Sequence, residues 1–250
     1  MRVALFITCL TDTHYPRAGI AVVKVLEHLG HEVVFPAGQT CCGQPMFNAG
    51  QRDHARSLAR RMLDLFEPHD CVVTPSASCA AMVRDHFVEL FDADAPDHER
   101  ARRLSARTYE FVEFLQDVLH LDLAALAPRW EGAIAIHDSC HGRSIGIAGR
   151  ARPLLEQIPG VRIAPLAREE ECCGFGGAFA VRYPIVSGAM ATDKAAAIAA
   201  SGAATVVCGD AGCAMNIEGA CRRAGHDHRF QSAGEVIAEA LGLLPRETTA

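Results

Sequence analysis

A repeated set of cysteines constrains this chain more than any other feature of its sequence. Cys9, Cys41, Cys42 and Cys79 of the first half return in the second half as Cys140, Cys172, Cys173 and Cys213. The first three pairs are related by one identical offset along the chain, and the last pair by a slightly longer one. Each adjacent pair of these eight motif cysteines is followed by glycine, Gly43 or Gly174. Such a repeat predicts two structurally similar halves.

The hydrophobic pattern around these cysteines also repeats and predicts strands that alternate with helices. The predicted strands are 3–8, 33–35 and 71–74 in the first half, and 133–136, 161–163 and 205–207 in the second. The predicted helices are 20–29, 55–66, one beginning near Cys79, 150–157, 185–200 and 211–224, with closing helices at 109–119 and 234–244. The charged segment 92–107 reads as a solvated helix or connector.

This order of elements predicts an α/β fold of two pseudo-symmetric halves, residues 1–122 and 123–250. Each half is expected to be a small parallel sheet with flanking helices, a Rossmann-like arrangement. In open parallel sheets, ligands gather beyond the carboxyl ends of the strands. Because the motif cysteines follow those ends, we expect the four thiols of each half to converge there.

Four thiols per half are typical of an iron-sulfur cluster or of tetrahedral zinc, since both bind deprotonated sulfur. Zinc sites usually use cysteines separated by two to four residues, whereas adjacent cysteines fit two corners of one compact tetrahedron poorly. A multi-iron cluster offers a separate metal to each. The pattern favours one or two iron-sulfur clusters of the [4Fe-4S] type, and leaves zinc open as the alternative.

Other residues near the motifs are weaker candidates. Cys208 ends a predicted strand close to the expected site and is a candidate additional ligand. His137 and His141 flank Cys140 and are candidate proton acceptors, although a hydrogen-bonded loop histidine is the simpler interpretation. Arg143 is a candidate anchor for a carboxylate. Two further cysteines, Cys71 and Cys221, fall outside the repeat and fit core packing.

Composition and charge narrow the class of protein. A formal net charge of −6 without a long basic run argues against nucleic acid as the main partner. The N-terminal apolar run is too short for a signal peptide, and no segment has the roughly 18 apolar residues of a membrane span. We therefore expect a cytoplasmic protein, in which eleven cysteines are better explained as ligands or redox thiols than as disulfides.

The spacing of the motif cysteines resembles the cysteine-rich CCG domain, which recurs in the B chain of heterodisulfide reductase and in the iron-sulfur subunit of glycolate oxidase. Shorter strings are most similar to the lactate utilization branch of this family: Cys-Leu-Thr-Asp at 9–12, Pro-Ser-Ala-Ser-Cys-Ala-Ala-Met at 75–82, His-Asp-Ser-Cys-His at 137–141 and Cys-Cys-Gly-Phe-Gly-Gly at 172–177. The resemblance implies a subunit of an L-lactate-oxidising dehydrogenase complex that transfers electrons. It also implies partner subunits, including an iron-sulfur protein with ferredoxin-type motifs.

The chain departs from the family pattern at one position in each half. The family closes each repeat with Cys-x2-Cys, and the first of these two cysteines is replaced here by Ser76 and by Asp210. Both residues fit a turn or helix N-cap, with an oxygen ligand as the minor interpretation. A heterodisulfide or thiol reductase subunit and a zinc-stabilised scaffold without enzymatic activity remain as alternative functions.

Overall fold

The protein is described by a computed structural model that covers residues 1–246. Each half contains one parallel four-stranded sheet, and the two sheets have the same strand order, second, first, third, fourth. The strands are β1 Arg2–Leu5, β2 Glu32–Val34, β3 Val72–Thr74 and β4 Thr108–Glu110, then β5 Gly132–His137, β6 Val161–Ile163, β7 Thr205–Cys208 and β8 Arg229–Gln231. The predicted α/β class with two Rossmann-like halves is confirmed.

Helices connect the strands in both halves. In the first half they are α1 Cys9–His14, α2 Pro16–His28, α3 Gln44–Asn48, α4 Arg52–Phe66, α5 Ala77–Ala81, α6 Phe87–Glu89, α7 Pro96–Ser105 and α8 Phe111–Glu113. In the second half they are α9 Cys140–Ser144, α10 Ala151–Leu155, α11 Ala178–Arg182, α12 Pro184–Ser201, α13 Ala211–Arg223 and α14 Ala233–Ala240. Two π-helical turns, Met82–His86 and Phe114–Val118, and a 3-10 turn, Ala124–Leu126, complete the set. Within residues 1–246, no helix has the length and apolar character required to cross a bilayer.

The fourth strand of each sheet was not predicted, and the helix expected at 109–119 was placed too early. Tyr109 and Glu110 belong to β4, and the helical backbone begins only at Phe111. Glu110 is the N-cap of α8, and its carboxylate accepts hydrogen bonds from the backbone of Val112 and Glu113. In the second half, β8 likewise ends directly before Ser232, the N-cap of α14. Strands β4 and β8 have one aromatic residue between polar neighbours, Thr-Tyr-Glu and Arg-Phe-Gln, and so lack the apolar run that marks the predicted strands.

The main apolar core lies between the two sheets and is built from both halves. Strand residues Val3, Leu5 and Val73 of the first half share one buried cluster with Ile134 and Ile136 of the second. Helices α2 and α14 pack against each other within this cluster. One smaller cluster covers the outer face of the first sheet and another covers that of the second, and each includes two buried motif cysteines. The halves are therefore held together by a continuous hydrophobic core.

A buried carboxylate reinforces the contact between α2 and α14. Glu239 accepts hydrogen bonds from Arg17 of the first half, at 2.9 Å, and from Trp130, at 3.0 Å. Arg229 and Gln231 donate to the same carboxylate at 2.5 to 2.8 Å. Burial alone raises the pKa of Glu239, but the bonds from Trp130 and Gln231 and the charge of Arg229 outweigh it, and the pKa lies below its usual range.

Replacing this carboxylate should loosen the contact between the halves. We expect Glu239→Gln to lower the free energy of unfolding by about 3 to 5 kcal/mol, since it removes a buried negative charge that pairs with Arg17 and Arg229. Urea unfolding followed by circular dichroism in reducing buffer measures the change. The control is Glu99→Gln, which removes an exposed ion pair with Arg102 and should cost less than about 0.5 kcal/mol. Equal losses in both variants would contradict the assigned role of Glu239.

Candidate metal centre

The first set of motif cysteines lies where three segments follow the parallel strands β1, β2 and β3. Cys9 opens α1 directly after β1, and Cys79 lies in α5, which follows β3. Cys41 and Cys42 occupy the loop between β2 and α3. Because the strands are parallel, all three segments leave the same edge of the sheet. The structure therefore brings together the four cysteines that the sequence pattern selects.

Within this set the thiols form a continuous chain of contacts. Cys9 is hydrogen-bonded to Cys41, and Cys41 to Cys42. The Sγ atoms of Cys42 and Cys79 are 3.3 Å apart. Cys9 is exposed and Cys41 half-buried, whereas Cys42 and Cys79 are buried. The set thus runs from the surface to the interior.

The second set repeats this geometry. Cys140 is hydrogen-bonded to Cys172, and Cys172 to Cys173. The Sγ atoms of Cys173 and Cys213 are 3.0 Å apart. These two cysteines are buried, and Cys140 and Cys172 are half-buried. All eleven cysteines of the chain are free thiols.

The two sets face one shared cavity between the halves. Its volume is about 220 Å³, and all eight motif cysteines line it. Polar groups on its wall come from both halves and include Gln44, Ser78 and His141. The Gln44 amide nitrogen lies 3.1 Å from His141 Nε2 and donates to the Ser78 carbonyl. No sequence signal could have found the roles of Gln44 and Ser78, because pairing across the halves depends on how the sheets pack.

One thiol of each set is poised as a thiolate. Hydrogen bonds from Cys42 and Cys9 lower the pKa of Cys41 to about 3. In the second set, hydrogen bonds from Cys140 and Cys173 lower the pKa of Cys172 to about 2. The neighbouring thiols Cys9 and Cys140 have raised pKa values, because each is bonded to that thiolate and is partly buried. In each set, the lowered pKa marks the thiol that loses its proton most readily.

Backbone amides support the two thiolates. Gly43 N–H donates to Cys41 Sγ and Gly174 N–H to Cys172 Sγ, both at 3.4 Å. Both glycines have positive φ angles, +89° and +82°. A residue with a side chain rarely adopts this conformation, and glycine lets the amide turn toward the sulfur. Amide hydrogen bonds to sulfur are a known means of tuning thiolate-bound metals.

The donor set suits a soft metal or an iron-sulfur cofactor. Eight thiols converge on one cavity, in two groups of four, and thiolate is the ligand that zinc and iron-sulfur clusters prefer. The close contacts between sulfurs leave the thiols with only weak hydrogen bonds to one another. In the first half, Cys9, Cys41, Cys42 and Cys79 would hold the group, and in the second half Cys140, Cys172, Cys173 and Cys213.

Ser76 and Asp210, the two positions without the family cysteine, meet at the interface between the halves. Ser76 Oγ donates to Asp210 Oδ1 at 2.9 Å, and both residues are buried. The Ser78 hydroxyl and backbone N–H also donate to this carboxylate, at 2.6 and 2.8 Å. Ser76 caps α5 as expected, whereas Asp210 occupies the N-cap position of α13 without capping it. The Asp210 carboxylate therefore links the halves.

The two histidines and the arginine near Cys140 have different surroundings. His141 lies on the cavity wall, with Nδ1 at 3.6 Å from Cys140 Sγ. Arg143 donates to the backbone oxygen of Asp138 and does not line the cavity. His137 ends β5 behind Cys173 and Cys213 and is only 2% exposed. Burial and the charge of Lys194 lower the pKa of His137 to about 4, so its imidazole is neutral.

The three cysteines outside the repeat lie away from the cavity wall. Cys208 ends β7 and is buried in the outer cluster that contains Cys173 and Cys213. Burial raises its pKa, which favours the neutral thiol. Cys221 packs in the same cluster, and Cys71 packs in the core between the halves. Core packing, the interpretation given above to Cys71 and Cys221, agrees with these positions.

Comparisons with known proteins agree with the repeat. The family model of the cysteine-rich domain, CCG, matches residues 3–84 and again 134–218. "Lactate utilization protein A 2" of Bacillus cereus strain Q1 is 39% identical over 246 residues, covering 96% of this chain and 99% of that protein. "Lactate utilization protein A" of Exiguobacterium sp. strain ATCC BAA-1283 / AT1b is 40% identical over 242 residues, covering 96% and 98%. Among solved structures, a glutamate racemase of Francisella tularensis aligns with a TM-score of 0.38 at 11% identity, over 97% of this chain and 80% of that one.

The two motif glycines offer a matched test of the cysteine loops. A Cβ atom on Gly174 would lie 2.8 Å from the Ser187 carbonyl oxygen, whereas one on Gly43 would approach Ala55 no closer than 3.5 Å. Gly43→Ala should cost about 1 to 2 kcal/mol for its positive φ. Gly174→Ala should cost about 1 to 3 kcal/mol more, because of the clash. Urea unfolding of metal-free protein in reducing buffer compares the two, and an equal or reversed order would contradict this geometry.

Proposed function

The chain belongs to the cysteine-rich CCG domain family, in the group of lactate utilization A proteins, and on this premise we propose that it is an iron-sulfur subunit for the oxidation of L-lactate to pyruvate. The observation that carries the proposal is the convergence of all eight motif cysteines on one cavity. Residues 1–122 and 123–250 are the two cysteine-rich repeats. Each repeat contributes one four-thiol site, for one or two clusters of the [4Fe-4S] type.

The residues of the chain have definite tasks in this proposal. When bound, an iron-sulfur cluster accepts and releases single electrons. The motif cysteines hold the cluster, and the amides of Gly43 and Gly174 stabilise the sulfur charge. The buried thiols Cys42 and Cys173 anchor it on the protein side, and Cys9 and Cys140 lie nearer to solvent. The exposed side of each site is therefore the natural route for electrons.

Partner subunits follow from the chemistry of the reaction. Conversion of lactate to pyruvate releases two electrons and two protons, whereas an iron-sulfur cluster passes one electron at a time. The chain also contains no run of closely spaced cysteines of the bacterial ferredoxin type. We propose that a ferredoxin-type iron-sulfur protein and a further subunit complete a cytoplasmic complex. No nucleic acid is required.

Metal content tests the two sites separately. We expect anaerobically purified protein to contain about four irons and four acid-labile sulfides per cluster. Cys41→Ser should remove the cluster of the first half and Cys172→Ser that of the second, because each removes the sulfur whose pKa is lowered in its set. Iron and sulfide assays with EPR measure both losses. The control is Cys71→Ala, a core cysteine outside the cavity, which should retain all iron.

The possible results separate the alternatives. Loss of iron from only one of the two serine variants means that a single half carries the cluster. Zinc in stoichiometric amount without sulfide would contradict the iron-sulfur proposal and favour a zinc-stabilised scaffold. Equal loss of iron in Cys71→Ala would mean that metal content reports folding and not ligation.

Growth on lactate tests the metabolic assignment. Deletion of the gene should abolish growth on L-lactate as sole carbon source and leave growth on glucose unchanged. The wild-type gene should restore growth, and the gene carrying both Cys41→Ser and Cys172→Ser should not, because the double variant lacks both sites. Normal growth of the deletion strain on lactate would refute the assignment and leave the metal sites unaffected.

A further inference from the structure

His137 is a buried polar side chain without a hydrogen bond. It is 2% exposed, and in the described part of the chain no group pairs with either ring nitrogen. Leaving a buried polar group unsatisfied costs about 1 to 3 kcal/mol. A side chain kept at such a cost calls for a partner that protein atoms do not provide.

The position of the ring identifies the kind of partner. One ring nitrogen of His137 and the Sγ atoms of Cys173 and Cys213 all lie within 4.8 Å of one another. Around a tetrahedral metal ion, with metal–sulfur bonds of about 2.3 Å and metal–nitrogen bonds of about 2.0 Å, neighbouring N and S donors are about 3.5 Å apart. The imidazole therefore lies close enough to the two buried thiols to bind the same metal centre as they do. Neutral imidazole and thiolate are both ligands for zinc and iron.

The first half shows that packing does not require a histidine here. At the offset that relates Cys9 to Cys140, the counterpart of His137 is Phe6. Phe6 is fully buried in the outer cluster that also contains Cys42 and Cys79. The same place beside the buried cysteine pair thus carries an apolar ring in one half and an imidazole in the other. The two sites have equal numbers of thiols but different sets of donors.

We propose that His137 is a nitrogen ligand of the metal centre in the second half. The inference rests on the proposed function only in requiring that this half binds metal. The first half then holds its centre with four thiolates, and the second with an imidazole in place of one of its four thiolates. Because the neutral imidazole replaces an anionic thiolate, the second centre carries one negative charge fewer and has the higher reduction potential. Electrons that pass through both centres therefore move from the centre of the first half to the centre of the second half.

Isotope labelling tests the ligand directly. Full-length protein is purified anaerobically, with its iron and sulfide completed by reconstitution, from cells supplied with 15N-histidine or with unlabelled histidine. Pulsed EPR of the reduced protein should show the strong coupling of a coordinated nitrogen, shifted by the label. His137→Phe, which copies Phe6 of the first half, should lose this coupling, whereas the control His141→Phe should retain it. In a redox titration, His137→Cys should lower the potential of the second centre.

Each result decides the inference. A cluster present in Cys41→Ser, where only the second site remains, but without strong nitrogen coupling in labelled protein, would overturn the ligand assignment and leave the proposed function intact. A coupling lost in His141→Phe and kept in His137→Phe would also overturn it. Absence of metal from the second half would overturn the ligand assignment, whereas absence of metal from both halves would overturn the proposed function as well. If His137→Phe fails to fold, absence of the coupling from labelled wild-type protein still overturns the assignment, and loss of the coupling in His137→Cys still supports it.

Discussion

The apolar core between the two sheets is the contact on which the site depends. Residues of β1 and β3 pack with residues of β5 and β7 in one buried cluster, and α2 packs on α14 beside them. This packing orients both sheets so that their carboxyl ends open on the same cavity. Each four-thiol set could form within its own half, but their shared cavity exists only because the halves dock. Glu239, buried among donors from both halves, adds a polar constraint to an otherwise non-directional contact.

Much of this arrangement could be predicted from the sequence, because both the cysteine spacing and the order of the apolar strands occur twice, once in each half. The six strands with clear apolar runs and the convergence of Cys9, Cys41, Cys42 and Cys79 follow from parallel topology alone. The fourth strands β4 and β8 could not be predicted, since each has a single aromatic residue between polar ones and leads directly into a capped helix. Their place in the sheet is set by pairing with β3 and β7, a long-range contact that local pattern does not encode.

The polar contacts across the interface could not be predicted from the sequence either. Ser76 and Asp210 stood out as single positions, but their hydrogen bond joins residues 134 positions apart in the chain. Asp210 also receives two bonds from Ser78, and the backbone N–H of Ala77 donates to the Gly209 carbonyl at 3.1 Å. Only the docked sheets bring these groups within reach. The equivalence of Phe6 and His137, in contrast, is visible in the sequence once the two halves are aligned on their motif cysteines.

A duplicated fold need not keep two equivalent sites, and the substitutions at matched positions show how equivalence is lost here. Where the family pattern has a cysteine in each half, the chain has Ser76 opposite Asp210, and the Ser76 hydroxyl donates a hydrogen bond to the Asp210 carboxylate. The exchange thus turns two repeated positions into one bond between the halves. At Phe6 and His137 the same divergence acts on the sites themselves, since it places an imidazole beside one buried cysteine pair and a phenyl ring beside the other. Divergence at the interface stabilises the pairing of the halves, and divergence beside the thiols makes the two sites chemically distinct.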